Sequence, residues 1–246
     1  MRLTCQFEFK DKLKLPIHYN HMLQGLIYNN LTDEGLRTFL HEVGFKNGKR
    51  SYKMFTYSRL LGKYQVDKKD KIIIFESPVK LHISSLVDDF VNDLSTSLFK
   101  SEKLFLGNKE MELSSINAEY PIFKDRYAKI EMLSPIVIYS SIKLDGKNKT
   151  VYYSPKDSIF SKKIQENLIR KYTAIHGKTP EDDEFTIEYI GEKEPRKSVI
   201  RYHKTMINGY NGRYLIKGNT ELIRLAYFVG IGSKNSQGFG CFKLQK

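Results

Sequence analysis

"VGIGSKNSQGFG" (Val229–Gly240) sets four glycines, Gly230, Gly232, Gly238 and Gly240, around Ser233, Lys234, Asn235 and Ser236. What stands on either side of it decides the fold. Upstream, Leu222, Leu225 and Ala226 recur at helical spacing behind Thr220, which is suited to capping a helix. Downstream, Phe239–Leu244 reads as a strand. A helix enters the glycines and a strand leaves them. A dinucleotide fingerprint needs the reverse order, so that a helix N-terminus faces the pyrophosphate. Asn235 also stands where the third glycine of that fingerprint would fall, and the Gly-Lys-Ser/Thr of a P-loop is missing. Two readings stay open. The glycines serve a tight helix-to-strand turn, or their backbone N–H groups cradle a phosphate.

Working outward from this closing strand, the second half reads as an extended run (Ile130–Ile142), a helix (Ser158–His176), middle strands (Glu184–Ile190 and Val199–Thr205, with a further run at Tyr214–Lys217), a helix and a last strand. The first half gives the same order. Leu3, Cys5, Phe7 and Phe9 alternate with Arg2, Thr4, Gln6 and Glu8, the pattern of a half-buried strand. Met22, Leu23, Leu26, Ile27 and Leu31 have helical spacing, and a second short helix is predicted between Thr32, as its cap, and Gly44. A basic loop (Lys46–Lys53), extended runs at Met54–Leu61, Lys71–Glu76 and Val79–Ser84, a helix at Asp88–Leu98 and a strand at Lys109–Asn117 follow. Two β-α-β-β-α-β units in tandem predict an α+β protein of two ferredoxin-like domains, residues 1–120 and 121–246, parted near Pro121. Helices on one face leave the other face of each sheet free, and in RNA-recognition modules of this topology that face carries RNA. The topology alone does not impose that function.

Composition narrows the partners. A net charge of +13 favours an acidic one, nucleic acid first and an anionic membrane surface second. From Pro195 onward Arg196, Lys197, Arg201, Lys204, Arg213, Lys217, Arg224, Lys234, Lys243 and Lys246 stand against the single acid Glu221. "RKSVIRYHKT" interleaves Arg201, Tyr202, His203 and Lys204, so that cations can track phosphates while an aromatic ring stacks on a base. The two cysteines, Cys5 and Cys241, form no Cys-x-x-Cys pair, which excludes a zinc ribbon and gives no disulfide framework. No leader-like apolar stretch follows the start and no run is long enough to span a bilayer, so no membrane association and a cytoplasmic location are expected.

Four stretches taken together resemble a known family: "LPIHYNHMLQGLIYNNL" (Leu15–Leu31), "FLHEVGF" (Phe39–Phe45), "KMFTYSRL" (Lys53–Leu60) and "GIGSKNSQGFGCFKL" (Gly230–Leu244). They are similar to the CRISPR-associated precursor-RNA endoribonucleases, the Cas-six family of the RAMP superfamily. The resemblance implies CRISPR repeat RNA as substrate and partner, with retained product, a homodimer and attachment to a CRISPR effector complex as further expectations. It also implies cleavage without metal or cofactor. The ribose 2′-hydroxyl attacks the adjacent phosphate, leaving a 2′,3′-cyclic phosphate or 3′-phosphate and a 5′-hydroxyl. On the matching positions it places catalysis at Tyr28, His41 and Lys53, and RNA contact at the glycine loop: Gly230, Gly232, Ser233, Lys234, Asn235, Ser236, Gly238 and Gly240. The alternative is a RAMP-type subunit that holds guide RNA without cutting it.

The residue types suit that reaction. A base must take the 2′-hydroxyl proton, an acid must serve the leaving 5′-oxygen, and positive charge must stand beside the transition state. Histidine, with an ordinary pKa of about 6.5, exchanges a proton near neutrality. His41 is therefore the candidate base, Lys53 the phosphate-stabilising cation and Tyr28 a positioning donor or acid. Lys46, Lys49 and Arg50 compete for the cationic role. His18 and His21 stand in reserve as bases, whereas His82, His176 and His203 lack comparable support, and Arg201, His203 and Lys204 are RNA-contact candidates.

Overall fold

The computed structural model describes residues 1–144 and 146–245. In the first half, strand β1 (Arg2–Glu8) leads to helix α1 (Asn20–Asn29) and the short helix α2 (Glu34–Thr38). Strands β2 (Phe55–Tyr57) and β3 (Val79–Ser85), helix α3 (Asp88–Lys100) and strand β4 (Lys109–Glu119) complete it. The antiparallel sheet runs β2-β3-β1-β4, with a short edge strand, Leu104–Leu106, beyond β4. In the second half, β5 (Tyr127–Met132), α4 (Phe160–His176), β6 (Phe185–Tyr189), β7 (Arg213–Gly218), α5 (Thr220–Val229) and β8 (Phe242–Leu244) form a sheet in the order β6-β7-β5-β8. Numbered within each half, both sheets read 2-3-1-4. This is the ferredoxin-like plan, twice.

Alternation makes β1 half-buried: Leu3, Cys5 and Phe7 sink into the first core with Phe90, Val91 and Leu94 of α3. Leu23, Leu26 and Ile27 bury one side of α1, each worth about 1.5–3 kcal/mol by removal from water. The second core joins Ile164 and Leu168 of α4, Leu222, Leu225 and Ala226 of α5, and Tyr214 and Ile216 of β7.

Several expectations shift. Asp33, not Thr32, caps α2, accepting from the Leu36 N–H at 2.9 Å. Thr32 turns away, its N–H on Asp93 Oδ2 at 2.8 Å. Asn219, not Thr220, caps α5. Val199–Thr205 is not a middle strand of the sheet; Arg196–Tyr202 pairs with Thr205–Asn211 in a separate hairpin, because its apolar residues Ile200, Tyr202 and Ile207 have their own small core with Val137 and Phe239. The basic loop is a hairpin too, Phe45–Asn47 against Arg50–Tyr52.

The outer face of the first sheet is not left free along its whole length. Arg2 is 1% exposed, stacks 3.5 Å from the Tyr227 ring centre, and donates to the carbonyls of Phe242 at 2.8 Å and Tyr227 at 3.0 Å. Helix α5 thus lies over the end of β1 and β3. The two halves meet there, which positions the glycine loop against α1 and β2.

Candidate active site at the junction of the two halves

Tyr28 follows Ile27 at the end of α1, so its ring leaves the core side and lies at the margin. It packs edge-on against Phe55 of β2 at 5.8 Å and against the His41 ring at 5.4 Å. Its hydroxyl donates to the Leu40 carbonyl across 3.5 Å, and burial raises its phenol well above the ordinary tyrosine range. It therefore keeps its proton near neutrality and acts as a donor.

His41 stands where α2 widens into a π-helical turn, Phe39–Val43. Such turns recur at functional sites because they re-aim a side chain. Gly44 closes the turn with φ of 65°, its N–H on the Phe39 carbonyl at 2.7 Å. The imidazole is exposed, and its Nδ1 meets Glu42 Oε1 at 2.6 Å. With the ring proton on Nδ1, the Glu42 oxygen accepts it and Nε2 keeps the lone pair that a general base needs.

Lys53 follows the hairpin and lays its chain against Gly44, where an added Cβ would stand 3.1 Å from Lys53 Cδ. Burial lowers its pKa while the Glu42 charge opposes that shift. The stem of the turn is also fixed by Ser51, whose hydroxyl donates to the Val43 carbonyl. Lys53, Arg50 and Lys234 line one cavity of about 520 Å³, whose wall includes Phe55. Of the competing cations, Arg50 reaches this cavity; Lys46 and Lys49 do not line it.

The glycine loop forms the opposite wall, and its glycines are explained by geometry. Gly230, Gly232, Gly238 and Gly240 all have positive φ, from 74° to 86°. A Cβ on Gly238 would press on the Tyr57 ring at 2.6 Å, and one on Gly240 would run into the Ile231 carbonyl. The N–H groups of Gly230, Ile231, Ser233, Gly238 and Gly240 are bonded to protein carbonyls. They do not form an exposed phosphate cradle. What the loop turns to the cavity is Ser233, Lys234, Asn235, Ser236 and Gln237. Asn235 is largely occupied within the loop, donating to the Ile231 and Phe239 carbonyls.

The loop is pinned from both halves. Asn20 at the start of α1 donates to the Gln237 and Gly238 carbonyls, and Gln24 donates to that of Ser236 at 2.7 Å. From α4, Lys171 donates to the carbonyls of Gly230 at 2.7 Å and Gly232 at 2.8 Å. Burial pulls this lysine down to about 7. Sequence reasoning passed over Glu42, Asn20, Gln24, Asn167 and Lys171. The signal for the last was present, since Lys171 falls on the same stripe as Ile164 and Leu168.

Arg201, His203 and Lys204 sit together at the tip of the Arg196–Asn211 hairpin, with Arg201 Nε on the His203 carbonyl at 3.1 Å. Tyr202 is 7% exposed and bonded to Gln24, so it presents no free face for a base. The hairpin tip lies by the start of α1, where the His203 ring is 6.0 Å from His21 and the Arg201 N–H meets His18 Nδ1 at 3.3 Å. His18 lines a second cavity with Arg59 and Arg196; burial first, then the charges of Arg59, Arg201 and Lys71, lower its pKa. The reserve histidines are thus at the opposite end of α1 from Tyr28. His82 is held by Thr4 and lowered to about 4, mainly by burial; His176 packs on Tyr172.

Comparison with known proteins identifies the family. Residues 14–117 match the model for the N-terminal part of CRISPR-associated protein Cas6, and residues 116–244 match that for its C-terminal part. Over 241 residues the chain is 28% identical to the CRISPR-associated endoribonuclease-like protein Cas6nc of Pyrococcus horikoshii, covering 96% of this chain and 95% of that protein. It is 26% identical over 242 residues to the CRISPR-associated endoribonuclease Cas6 1 of Methanocaldococcus jannaschii, covering 98% and 91%. A solved structure described as a RAMP protein binding different RNA substrates superposes with a TM-score of 0.85 at 25% identity over the whole of both chains. With both halves matched in order and the junction between them built as described, this chain belongs to the Cas6 family of CRISPR-associated proteins.

Proposed function

We propose that this protein matures CRISPR transcripts by cutting repeat RNA with its own side chains. The observation that carries the reading is the packing of the Tyr28 ring against both His41 and Phe55. Phe55 stands on the wall of a cavity that Lys53, Arg50 and Lys234 line and that Tyr28 and His41 do not themselves line. His41 Nε2 takes the 2′-hydroxyl proton while Glu42 holds Nδ1–H. The freed oxygen attacks the neighbouring phosphorus and the bond to the 5′-oxygen breaks; that oxygen takes a proton from solvent and leaves as a 5′-hydroxyl, His41 gives its proton back to solvent, and a 2′,3′-cyclic phosphate remains. Lys53 stabilises the charge that grows on the phosphate oxygens, and the phenol of Tyr28 donates to one of them. Arg201, His203 and Lys204 meet the RNA backbone farther along. Both cysteines are buried and unpaired, which suits work in the cytoplasm.

The test is cleavage of the host's own labelled repeat RNA in EDTA, with product ends identified. We expect cyclic-phosphate and 5′-hydroxyl ends, and a loss of about 10²–10⁴-fold in rate for His41→Ala with RNA binding retained. A requirement for Mg²⁺, or full activity in His41→Ala, contradicts the mechanism. The relative from Pyrococcus horikoshii, described only as endoribonuclease-like, keeps a holding role in view; tight binding with RNA left intact would establish that role here.

A further inference from the structure

The cavity that Lys53, Arg50 and Lys234 line has a wall that runs on beyond it. Tyr139 and Ser141 stand on that wall. Both belong to a hairpin, Tyr139–Leu144 against Lys147–Tyr152, that pairs with neither main sheet. Side chains alternate along a strand, and residues directly opposite each other share a face. The face that continues the cavity wall is therefore Tyr139, Ser141 and Lys143 on one strand, with Tyr152, Thr150 and Asn148 opposite them. Every one of the six carries a polar group, and two are aromatic. The back of the hairpin holds Ser140 opposite Val151 and Ile142 opposite Lys149. Only the base is packed: the Tyr139 and Tyr152 rings stand 5.7 Å apart against the small core of Val137 and Phe239. Tyr152 also donates to the Met206 carbonyl at 3.2 Å. Beyond the base, Ser141, Ile142, Lys143, Asn148, Lys149 and Thr150 are all exposed. A lone pair of strands is marginally stable in water, so folding gives no reason for this excursion. Lys143, Lys147 and Lys149 against Asp145 leave it basic.

We propose that the face running from Tyr139 to Lys143 and Asn148 is a track for single-stranded RNA on one side of the scissile linkage. Tyr139 marks its start, with Lys234 Nζ 5.4 Å from the ring centre. Lys143, four residues on and about 13 Å away, meets a phosphate outside the cavity. The hydroxyls of Ser141 and Thr150 and the amide of Asn148 lie between, able to bond phosphate oxygens or ribose 2′-hydroxyls. Ile142, 42% exposed, lies on the back. The track face thus offers charge and hydrogen bonds rather than the apolar anchor that a protein strand or a lipid surface would need. The track rests on the reading of this protein as one that binds repeat RNA, and not on its cutting it.

The experiment uses repeat RNA made uncleavable by a 2′-deoxy substitution at the scissile nucleotide and shortened one nucleotide at a time from either end. Affinity is read by fluorescence anisotropy over a range of salt. On the longest RNA, Lys143→Ala is expected to weaken binding about fourfold at about 0.15 M salt and to lessen the logarithmic salt slope by about 0.7, the share of one phosphate on a single strand. Once one end has been trimmed back to the cavity, wild type and variant are expected to bind equally. Lys149→Ala removes the same charge from the back of the hairpin, and its effect is expected not to depend on RNA length. Both lysines are exposed, so neither substitution endangers the fold. A loss for Lys143→Ala that is the same at every length overturns the track, as do matching profiles for the two variants or a Lys143→Ala protein that binds like wild type. A wild type that binds none of these RNAs sinks the RNA reading itself. All-ribose repeat RNA runs alongside: if it stays intact, the catalytic reading fails while the length series still decides the track.

Discussion

His41 and Glu42 are consecutive residues, and their contact at 2.6 Å is exposed to solvent. Exposed pairs are worth little, about 0.2–1 kcal/mol, because water competes for both groups. Glu42→Gln is accordingly expected to slow cleavage by only a few-fold, against the far larger loss for His41→Ala. Rates of both variants measured across neutral pH check this, and a Glu42→Gln enzyme as dead as His41→Ala would give Glu42 a direct part in the chemistry. Lys53 allows a second expectation. Burial lowers its pKa, so its ammonium is lost at a lower pH than an ordinary lysine's, and the rate is expected to fall correspondingly early on the alkaline side. In Lys53→Arg that alkaline fall should move upward, since a guanidinium does not deprotonate in this range. At this scale the sequence was partly legible. The types at 28, 41 and 53 spoke for the chemistry, but nothing in the order of residues told Lys53 and Arg50 from Lys46 and Lys49. Only the turn of the Phe45–Tyr52 hairpin decides which of them line the cavity.

Among the elements, α4 has a role that its amphipathic pattern conceals. Its inward face carries Ile164 and Leu168, and then Lys171, whose amine is pulled down to about 7 by burial, from the ordinary 10.5. A neutral amine has two N–H bonds for the two carbonyls it meets, at Gly230 and Gly232. Because the folded pKa lies below the unfolded one, the unfolded chain holds a proton here between about pH 7 and 10.5 that the folded chain has released. Stability is therefore expected to rise with pH through that window, and this group contributes no slope below it. Urea unfolding at about pH 6, 7.5 and 9 checks the slope, which Lys171→Met is expected to flatten. Element order was read from periodicity in both halves, except that Ile72–Phe75 leaves the main sheet to pair with Leu13–Pro16 and Tyr64–Asp67, and that the run Ile130–Ile142 stops at Met132 and resumes at Tyr139 in a hairpin of its own. The miss at Val199–Thr205 has a clear cause. A strand in a detached hairpin and one in the main sheet alternate identically, and only tertiary pairing separates them. The glycine loop was likewise ambiguous, since turn geometry and phosphate contact ask for the same residue.

For the whole molecule, the union of the halves is the controlling feature. Arg2 buries a guanidinium under Tyr227 and satisfies two main-chain oxygens of the second half. Arg2→Met is expected to cost about 1–3 kcal/mol, because the Phe242 carbonyl stays buried without this donor while that of Tyr227 keeps the Ser84 hydroxyl at 3.3 Å. Urea titration measures it, and a loss below the error of the method would show that water reaches the carbonyl. The charge of +13 sets a further expectation, that RNA affinity falls steeply with salt, the logarithmic slope being about −0.7 for each phosphate neutralised on a single strand. Anisotropy titrations over a range of salt read that slope, and a flat line would contradict an electrostatic grip. The contact of Arg2 with Phe242 also bears on how the protein is made. Residues emerge from the ribosome in order, so this arginine waits, uncovered, while the next 240 positions are added. Helix α1 likewise meets Gln237 and Gly238 only after the more than 200 residues between them have been added. A chain translated only through its first half therefore carries His41 but not the glycine loop that walls the cavity, and the pocket is complete only once the chain has grown past Gln237.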